Sequence, residues 1–235
     1  MEEQFSRTAL IIGEDGVEKL RSCRVAIFGV GGVGSFAAEA VARMGVGNIT
    51  LVDNDVVAEA NLNRQLIALH STLGRYKVDV AKERILDINH SAHVEALQTF
   101  YLPENADEID VSRFDCIVDA IDTVSAKLAL ITRANAAGVP VISSMGTGNK
   151  LHPEMLELAD ISQTSVCPLA RVMRRELKAR GIKHLPVVYS KEEPVQTAKD
   201  VFLPNGKKTV GSISFVPSAA GLLIASKVFE ILLSK

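Results

Sequence analysis

The chain has 235 residues, of which 47% are hydrophobic, and a net charge of -2, which suits one large α/β domain with a sizeable core. This near-neutral charge excludes a polycation that binds nucleic acid over its whole surface, so any such contact must be a local basic patch. Three scattered cysteines exclude a disulfide framework and a cysteine-rich zinc site, and we expect a reducing, cytoplasmic setting.

In the first two thirds of the chain, short apolar runs alternate with stretches of helical periodicity. Strands are predicted over 24–29, 48–53, 93–100, 114–120 and 139–145, and helices over 34–45, 76–89 and 125–137. Strand–helix alternation with short connections predicts a mostly parallel sheet with helices on both faces. The expected fold class is therefore α/β, a Rossmann-like doubly wound sheet.

After Gly148 the alternation changes. LELADI and PVVYS predict strands on either side of a basic helix over 168–180. The segment KEEPVQTAKDVFLPNGKK that follows is expected to be a loop, because turn residues punctuate it: they are Pro194, Pro204, Asn205 and Gly206. We interpret residues 1–235 as one domain, with residues 149–210 as a C-terminal elaboration.

The stretch over 209–226 carries no charge and raises the question of a membrane span. It contains glycine, proline and four serines, and Lys227 and Glu230 follow in the same predicted helix. A span usually needs about 20 strongly apolar residues, so we expect a buried strand followed by a helix. MEEQFSRTAL at the start has neither the basic residues nor the apolar run of a signal peptide. No membrane association is predicted.

The loop GVGGVG lies between the first predicted strand and the helix that follows it. Gly29, Gly31 and Gly34 match G-x-G-x-x-G, which predicts a nucleotide site in a strand–loop–helix context. Glycine, including Gly32, lets the backbone approach phosphate closely, and the helix N-terminus attracts the anion. Asp53 ends the second strand, where a carboxylate can accept hydrogen bonds from a ribose. A tight packing turn is the alternative.

Polar and charged residues around this loop favour a triphosphate over a nicotinamide cofactor. DNDVVAEANLNRQ follows the second strand, Lys77 comes next and Asp122 ends DAID. Arginine and lysine can offset phosphate charge, and aspartate can ligate Mg²⁺. The sequence has no Tyr-x-x-x-Lys pair or similar proton relay for hydride transfer. We therefore expect ATP and Mg²⁺, with a dehydrogenase as a weaker alternative.

SRTALIIGEDGVEKL, GVGGVG, LVDNDVV, NLNRQ, GRYKV and DAID, in this order over residues 6–122, resemble the ubiquitin-activating-enzyme-like superfamily, which includes the adenylating enzymes of thiamine and molybdopterin biosynthesis. The resemblance implies a single adenylating domain in which 149–210 faces the substrate. It implies that the catalytic residues are Arg64, Lys77, Asp122 and Arg7. The expected ATP-binding residues are Gly29, Gly31, Gly32, Gly34, Asp53, Asp55, Asn61, Asn63 and Gln65.

Individual roles also follow from the resemblance. It implies that Asn61, Arg64 and Lys77 contact the phosphates and that Asp122 serves the Mg²⁺. It further implies that Arg7 reaches the ATP site of a second subunit, so a homodimer with shared sites is expected.

Two features indicate a branch of the superfamily. The sequence has no Cys-x-x-Cys pair, although members that activate sulfur carriers usually hold structural zinc with two. The segments 159–182 and 186–195 resemble instead the threonylcarbamoyladenosine dehydratase branch. This implies ATP-dependent dehydration, or cyclisation, of threonylcarbamoyladenosine beside the anticodon of tRNA, by carboxylate adenylation and intramolecular ring closure. Adenylation of a ubiquitin-like sulfur carrier and a non-catalytic tRNA-binding module stay as alternatives, and a sulfur-transfer protein is a further possible partner.

The predicted basic helix carries Arg171, Arg174, Arg175 and Lys178 at positions i, i+3, i+4 and i+7, so they share one face. We call these four residues the basic stripe. A local positive stripe is what contact with tRNA phosphates needs, and a solvated helix face is the alternative.

Cys167 lies just before the helix, where a thiolate is favoured. It is a possible nucleophile, with an ordinary turn residue as the alternative.

Overall fold

The computed structural model describes residues 2–199, 201–202 and 209–234. Within these residues seven strands form one sheet in the order β3-β2-β1-β4-β5-β7-β6. The strands are β1 Arg24–Phe28, β2 Asn48–Val52, β3 His93–Leu97, β4 Cys116–Asp119, β5 Val141–Ser144, β6 Leu156–Asp160 and β7 Pro186–Ser190. Every neighbouring pair is parallel except β6 with β7. The predicted doubly wound, mostly parallel sheet is confirmed.

Helices cover both faces of the sheet. They are α1 Ser6–Ser22, α2 Gly34–Arg43, α3 Lys77–Ile88, α4 Val124–Ala136, α5 Pro168–Ala179 and α6 Phe215–Ser234. One hydrophobic cluster joins α1, α2, α3 and α6 to the sheet, and a second joins α4 and α5 to its other face. The helices and strands predicted before Gly148 are all present, with bounds that differ by a few residues.

The central strands are continuous apolar runs because both of their faces are covered. In β1 the residues from Val25 to Phe28 have no exposed surface. The carboxyl ends of the parallel strands meet at one edge of the sheet, which we call the carboxyl edge. The loops that follow β1, β2, β4 and β5 therefore lie close together there, and the opposite side is the amino edge.

The strand predicted at the start of the uncharged stretch is wrong, because residues 209–214 form no strand. The place beside β5 is taken by β7. Gly211 pairs instead with Asn149: the Asn149 N–H donates to Gly211 O at 2.8 Å, and the Gly211 N–H donates to Asn149 Oδ1 at 2.7 Å. Pro194 lies in irregular backbone as expected. Pro204, Asn205 and Gly206 lie outside the described residues.

Within the described residues, α6 is the one helix long and apolar enough to cross a membrane, judged by length and composition. It packs on α2 through Gly221, where a Cβ would lie 2.4 Å from the carbonyl oxygen of Val33. Its buried face repeats every four residues, with Val216, Ala220, Ile224, Val228 and Leu232. Packing against α2 and against strands β4 to β7 thus accounts for the apolar character of this face.

The first half of α1 lies at the amino edge. Phe5, just before α1, places ring carbons 3.4 Å from a Cβ built on Gly45, which follows α2. The helix is interrupted at Gly13, whose φ is 76°. On the segment before that break, Leu10 and Ile11 are 87% and 85% exposed. Two neighbouring apolar side chains are therefore exposed to solvent near the amino edge.

Candidate active site

The glycine loop, residues 29–34, joins β1 to α2 at the carboxyl edge. Gly29 has a φ of 88°, and a Cβ on it would lie 2.6 Å from the carbonyl oxygen of Ala120, while a Cβ on Gly34 would lie 1.8 Å from Gly29 O. Neither position has room for a side chain. At Gly31 the nearest described atom would be Gln65 Nε2 at 3.8 Å. Gly29 and Gly34 therefore shape the loop, and Gly31 leaves it open to a ligand.

Asp53 directly follows β2 beside the glycine loop. Its Oδ2 accepts a hydrogen bond from the Val30 N–H at 2.7 Å, and its Oδ1 accepts one from the Asp55 N–H at 2.8 Å. Burial raises the pKa of Asp53, and the Lys77 charge and these two N–H groups oppose that rise. Each carboxylate oxygen has more than one acceptor site, so both can still accept a hydrogen bond from a ribose hydroxyl.

Lys77 begins α3 and is 4% exposed. Its Nζ lies 2.7 Å from Asp55 Oδ2, on a side chain that is 61% exposed. The Lys77 N–H also donates to Asp55 O at 3.0 Å, and Val56 pairs with Tyr76 in an antiparallel bridge. These contacts close the long loop between β2 and α3. The ammonium group lies near Asp53, with an exposed carboxylate as its partner.

Arg64 lies on the same loop and packs against the glycine loop. Its Cγ would be 3.4 Å from a Cβ on Gly32. The guanidinium Nη1 donates to Ala60 O at 2.8 Å and to Asn63 Oδ1 at 3.0 Å. Asn61 Oδ1 accepts the Ala58 N–H at 3.0 Å and so holds the turn that precedes Arg64. These local bonds place a cation beside Gly32.

Two further residues of this loop have different surroundings. Asn63 Nδ2 donates to Ser212 O at 3.0 Å, so it joins the loop to the segment before α6. Gln65 is 7% exposed, and its Oε1 is buried with no hydrogen-bond partner among the described residues. A buried unpaired acceptor is costly, and this one lies on a side chain that faces Gly31. An O–H or N–H donor of a bound nucleotide would satisfy it.

Asp122 lies at the end of the connection that begins at Asp119. It is exposed, and its Oδ1 accepts the Thr123 hydroxyl at 3.2 Å. No group of three or more histidine, cysteine, aspartate or glutamate side chains suited to a metal ion occurs in the described part of the chain. Mg²⁺ commonly uses one or two carboxylates together with substrate phosphates and water. An exposed single carboxylate fits a Mg²⁺ that arrives with ATP.

Arg7 is not brought to this site within one chain. It is two residues from Phe5 and therefore lies at the amino edge. The ten residues of α2, about 15 Å of helix, separate that edge from the glycine loop. Asp53, Arg64 and Gln65 lie against the glycine loop, whereas Arg7 lies at the far end of α2.

Sequence reasoning missed a buried ion pair next to Asp122. Lys127 Nζ lies 2.9 Å from Asp119 Oδ2, and neither side chain is exposed. The Ser143 hydroxyl donates to the same Oδ2 at 2.5 Å. The signal was present in DAIDTVSAK, where a lysine stands between alanine and leucine on an apolar helix face. The sequence pattern alone indicates a role only for the second aspartate of this motif, Asp122.

The basic helix is present as α5, and the four residues of the basic stripe differ in their surroundings. Arg174 is half-buried, and its Nη1 donates to Thr164 O at 2.7 Å and Thr164 Oγ1 at 2.6 Å. A helical wheel does not show this contact, because it does not include what packs beside the helix, and tRNA contact by Arg174 stays a prediction. The exposed members are Arg171, Arg175 and Lys178.

Glu176 partly offsets the charge of this helix. It contacts Arg175 at 2.9 Å and Arg180 at 3.0 Å. These are exposed pairs within one helix, which are weak and open to exchange with other anions. Phosphate groups can therefore replace Glu176 as partners at little cost.

Cys167 directly precedes α5 and is 3% exposed. Its Sγ would lie 3.8 Å from a Cβ on Gly146, which shortly follows β5, so the N-terminus of α5 is at the carboxyl edge. Val166 has a φ of 57°. Burial lowers the pKa of nearby Lys150, and negative charge on Cys167 would oppose this. A thiol this buried is closed to an acyl group in this conformation, and the nucleophile hypothesis stays a prediction.

Known proteins resemble the chain over almost its whole length. A model described as the ThiF family matches residues 5–235. The tRNA threonylcarbamoyladenosine dehydratase of Bacillus subtilis (strain 168) is 45% identical, over 97% of this chain and 94% of that protein. Crystal structures of E. coli tRNA N6-threonylcarbamoyladenosine dehydratase, TcdA, with AMP and with ATP match with TM-scores of 0.90 and 0.87, at 31% and 30% identity. Each of these two matches covers 99% of this chain and 94% of the E. coli chain.

Proposed function

Because the chain belongs to the ThiF family, we propose that its reaction is the ATP-dependent dehydration of threonylcarbamoyladenosine in tRNA. Loss of water from a carboxylate needs a better leaving group than hydroxide. ATP supplies it as an adenylate, with release of pyrophosphate. A nitrogen or oxygen of the same side chain then attacks the activated carbon, AMP leaves and a ring closes. No covalent bond to the protein is needed.

One observation carries the proposal: the match to the Bacillus dehydratase covers both the nucleotide loop and the basic helix, since it spans 97% of this chain. Enzymes that share only the adenylating half of the reaction need no basic helix. The geometry agrees with this assignment, because the glycine loop and the N-terminus of α5 both lie at the carboxyl edge. A tRNA bound along α5 can thus present a modified nucleoside to the nucleotide site.

The residues of the site fit ATP and Mg²⁺. The open side of Gly31 and the N-terminus of α2 suit phosphate. The unpaired Gln65 Oε1 could accept a hydrogen bond from an O–H or N–H group of the nucleotide. Asp53 would hold the ribose. Arg64 and Lys77, with Asn61, would contact the phosphates and offset charge that develops during transfer, and Asp122 would hold the Mg²⁺. Orientation of the carboxylate toward the α-phosphate is the main catalytic contribution.

We also propose that a second copy of the chain completes each site with its Arg7. Arg7 lies at the amino edge and cannot reach the site of its own chain. Leu10 and Ile11, one turn further along α1, are almost fully exposed, and exposed apolar surface of this kind marks interaction sites. A symmetric dimer would cover it.

Mixing two inactive variants tests this dimer. R7A lacks the donated arginine, and D122N lacks the metal carboxylate of its own site. In a mixed dimer one site is intact, so random exchange should restore about a quarter of wild-type activity. R7A mixed with R7A and D122N mixed with D122N are the controls. No recovery after verified subunit exchange would contradict the shared site.

Contact with tRNA is proposed for the exposed stripe residues Arg171, Arg175 and Lys178, and residues 149–210 would face this substrate. An enzyme of tRNA would work where tRNA is found, which supports the cytoplasmic location expected from the cysteines. The sulfur-transfer partner stays a prediction.

The reaction itself can be tested directly. The protein is incubated with ATP, Mg²⁺ and threonylcarbamoylated tRNA, and the nucleosides are analysed by mass spectrometry. The modified nucleoside should lose one water, and R64A should abolish the loss while the protein stays folded. No loss of water, together with pyrophosphate exchange that a small protein ending in Gly-Gly stimulates and tRNA does not, would favour the sulfur-carrier alternative.

A further inference from the structure

The ammonium group of Lys127 is fully buried beneath the carboxyl edge. Lys127 lies in the first turn of α4 and has no exposed surface. Its Nζ contacts three oxygens: Asp119 Oδ2 at 2.9 Å, Ser144 O at 2.9 Å and Ile121 O at 3.1 Å. An ammonium has three N–H donors, so these contacts use all of them. Lys127 therefore has no donor left for a substrate.

Asp119 completes the network from the strand side. Its Oδ2 also accepts the Ser143 hydroxyl, and its Oδ1 accepts the Ile121 N–H at 3.3 Å. Both backbone polar groups of Ile121 are thus held, the N–H by Asp119 and the carbonyl by Lys127. Asp122 is the next residue, so this pair fixes the orientation of the peptide group that leads into it.

The same connection also contacts the glycine loop. The Ala120 N–H donates to Phe28 O at 2.8 Å, and Ala120 O leaves no room for a Cβ on Gly29. The backbone from Asp119 to Asp122 is therefore packed between the buried ion pair and the nucleotide loop. A shift of the ion pair would move the carboxylate of Asp122 relative to that loop.

Stability alone does not account for this pair. Replacement of a buried ion pair by apolar residues of similar volume is often neutral or stabilising. An apolar pair could not donate to the carbonyls of Ile121 and Ser144, which lie in the connection after β4 and at the end of β5. We infer that Lys127 and Asp119 are positioning residues that set the place of Asp122 for Mg²⁺. This role rests on the proposed function.

The double variant D119N/K127M tests the inference, because it removes both charges together and leaves no buried unpaired charge. The asparagine oxygen still accepts the Ile121 N–H, and methionine fills the volume of the lysine stem. The donors to Ile121 O and Ser144 O are lost. Titration calorimetry then gives the ATP dissociation constant with and without Mg²⁺, in the absence of tRNA.

Mg²⁺ should tighten ATP binding to the wild type, and D122N should lose this effect. In D119N/K127M the gain in ATP affinity caused by Mg²⁺ should also be about tenfold smaller than in the wild type. Its affinity for ATP without Mg²⁺ should stay within about twofold of the wild type, because the glycine loop and Asp53 are intact. Added to D122N, the double substitution should cause no further loss of the Mg²⁺ effect. A merely structural role would instead weaken ATP binding equally with and without Mg²⁺.

S143A is the matched control, since it removes a partner of Asp119 and leaves every donor of Lys127 in place. It should keep the Mg²⁺ effect. If the double variant does not fold, K127M alone provides the test, because it removes the same donors to Ile121 O and Ser144 O.

The outcomes separate this inference from the proposed function. A wild type that does not bind ATP overturns the proposed function. A wild type that binds ATP more tightly with Mg²⁺, with this effect lost in D122N but kept in D119N/K127M, overturns only the role of the buried pair. An effect kept in D122N would overturn the proposed Mg²⁺ role of Asp122, on which the inference rests.

Discussion

The nucleotide site and the basic stripe lie on one chain but hold their charged groups in different ways. Around the nucleotide site two charged side chains are held by several backbone groups: Asp53 accepts two N–H groups, and Lys127 donates to two carbonyls. In the basic stripe, exposed Arg175 contacts the neighbouring side chain of Glu176. The nucleotide site therefore recognises its ligand by fixed geometry, and the basic stripe recognises its ligand by charge. Substitutions should lower stability and ligand affinity most at the nucleotide site.

The glycine loop should show the largest effect. In Gly34→Ala the new Cβ would meet Gly29 O at 1.8 Å, so we expect a loss of stability of about 3 kcal/mol or more and a fall in Tm of about 10 °C, measured by calorimetry. ATP binding should be lost with it. Gly31→Ala is the control: its Tm should match the wild type and its ATP affinity should fall. A normal Tm for G34A would show that the loop is not fixed.

The ribose carboxylate should come next. Asp53→Ala removes the acceptor of the Val30 and Asp55 N–H groups and the proposed ribose contact, so ATP should bind about 10- to 100-fold more weakly. Calorimetric titration measures this. Asp53→Asn keeps one oxygen and should lose less. Unchanged ATP affinity in folded D53A would place the ribose elsewhere.

Substitutions in the stripe should change salt dependence more than structure. R171Q/K178Q removes two exposed cations, so the slope of log K for tRNA against log salt should become shallower by about 1.5 to 2, with ATP binding unchanged. R174Q should instead lower the Tm, because the carbonyl of Thr164 loses its donor. A normal Tm and a shallower salt slope for R174Q would instead show that Arg174 contacts tRNA phosphate like the exposed members of the stripe.

The smallest effect concerns two glutamates and pH. Burial raises the pKa of Glu39 on α2, but hydrogen bonds from Arg84 and Arg43 outweigh it and leave the pKa below 4.5. Since this pKa is depressed on folding, Glu39 stabilises the protein above pH 4.5, and that contribution is lost as the pH falls through the folded-state pKa. E39Q should cost about 1 kcal/mol at pH 7 in urea unfolding.

Glu176 on α5 provides the comparison. The Arg175 and Arg180 hydrogen bonds lower its pKa as well, but Arg175 lies on the same helix, Arg180 directly follows that helix, and both are exposed. E176Q should change stability less than E39Q at pH 7, and both differences should fade in acid. Equal costs for the two variants would contradict the expectation that an ion pair joining two helices, Glu39 with Arg84, stabilises more than the local pairs of Glu176.

The sequence predicts the sheet well because its signals are local. Each apolar run of the first two thirds is a strand, and the glycine loop has its expected context. The features it missed depend on packing between distant segments. The ion pair of Asp119 and Lys127 exists because α4 lies over the end of β4, and Arg174 is bound because Thr164 packs beside α5. Residues 209–214 form no strand because β7 already occupies the place beside β5.

The position of α6 in the chain has a consequence for folding. It follows the seven strands of the sheet, so during synthesis the sheet can pair before the side of α2 that contacts α6 is covered. Until α6 arrives, the surface around Val33 and Ala37 is open to chaperones and to other nascent chains. Conditions that delay the docking of α6 should therefore favour aggregation over activity, even when every residue of the nucleotide site is correct.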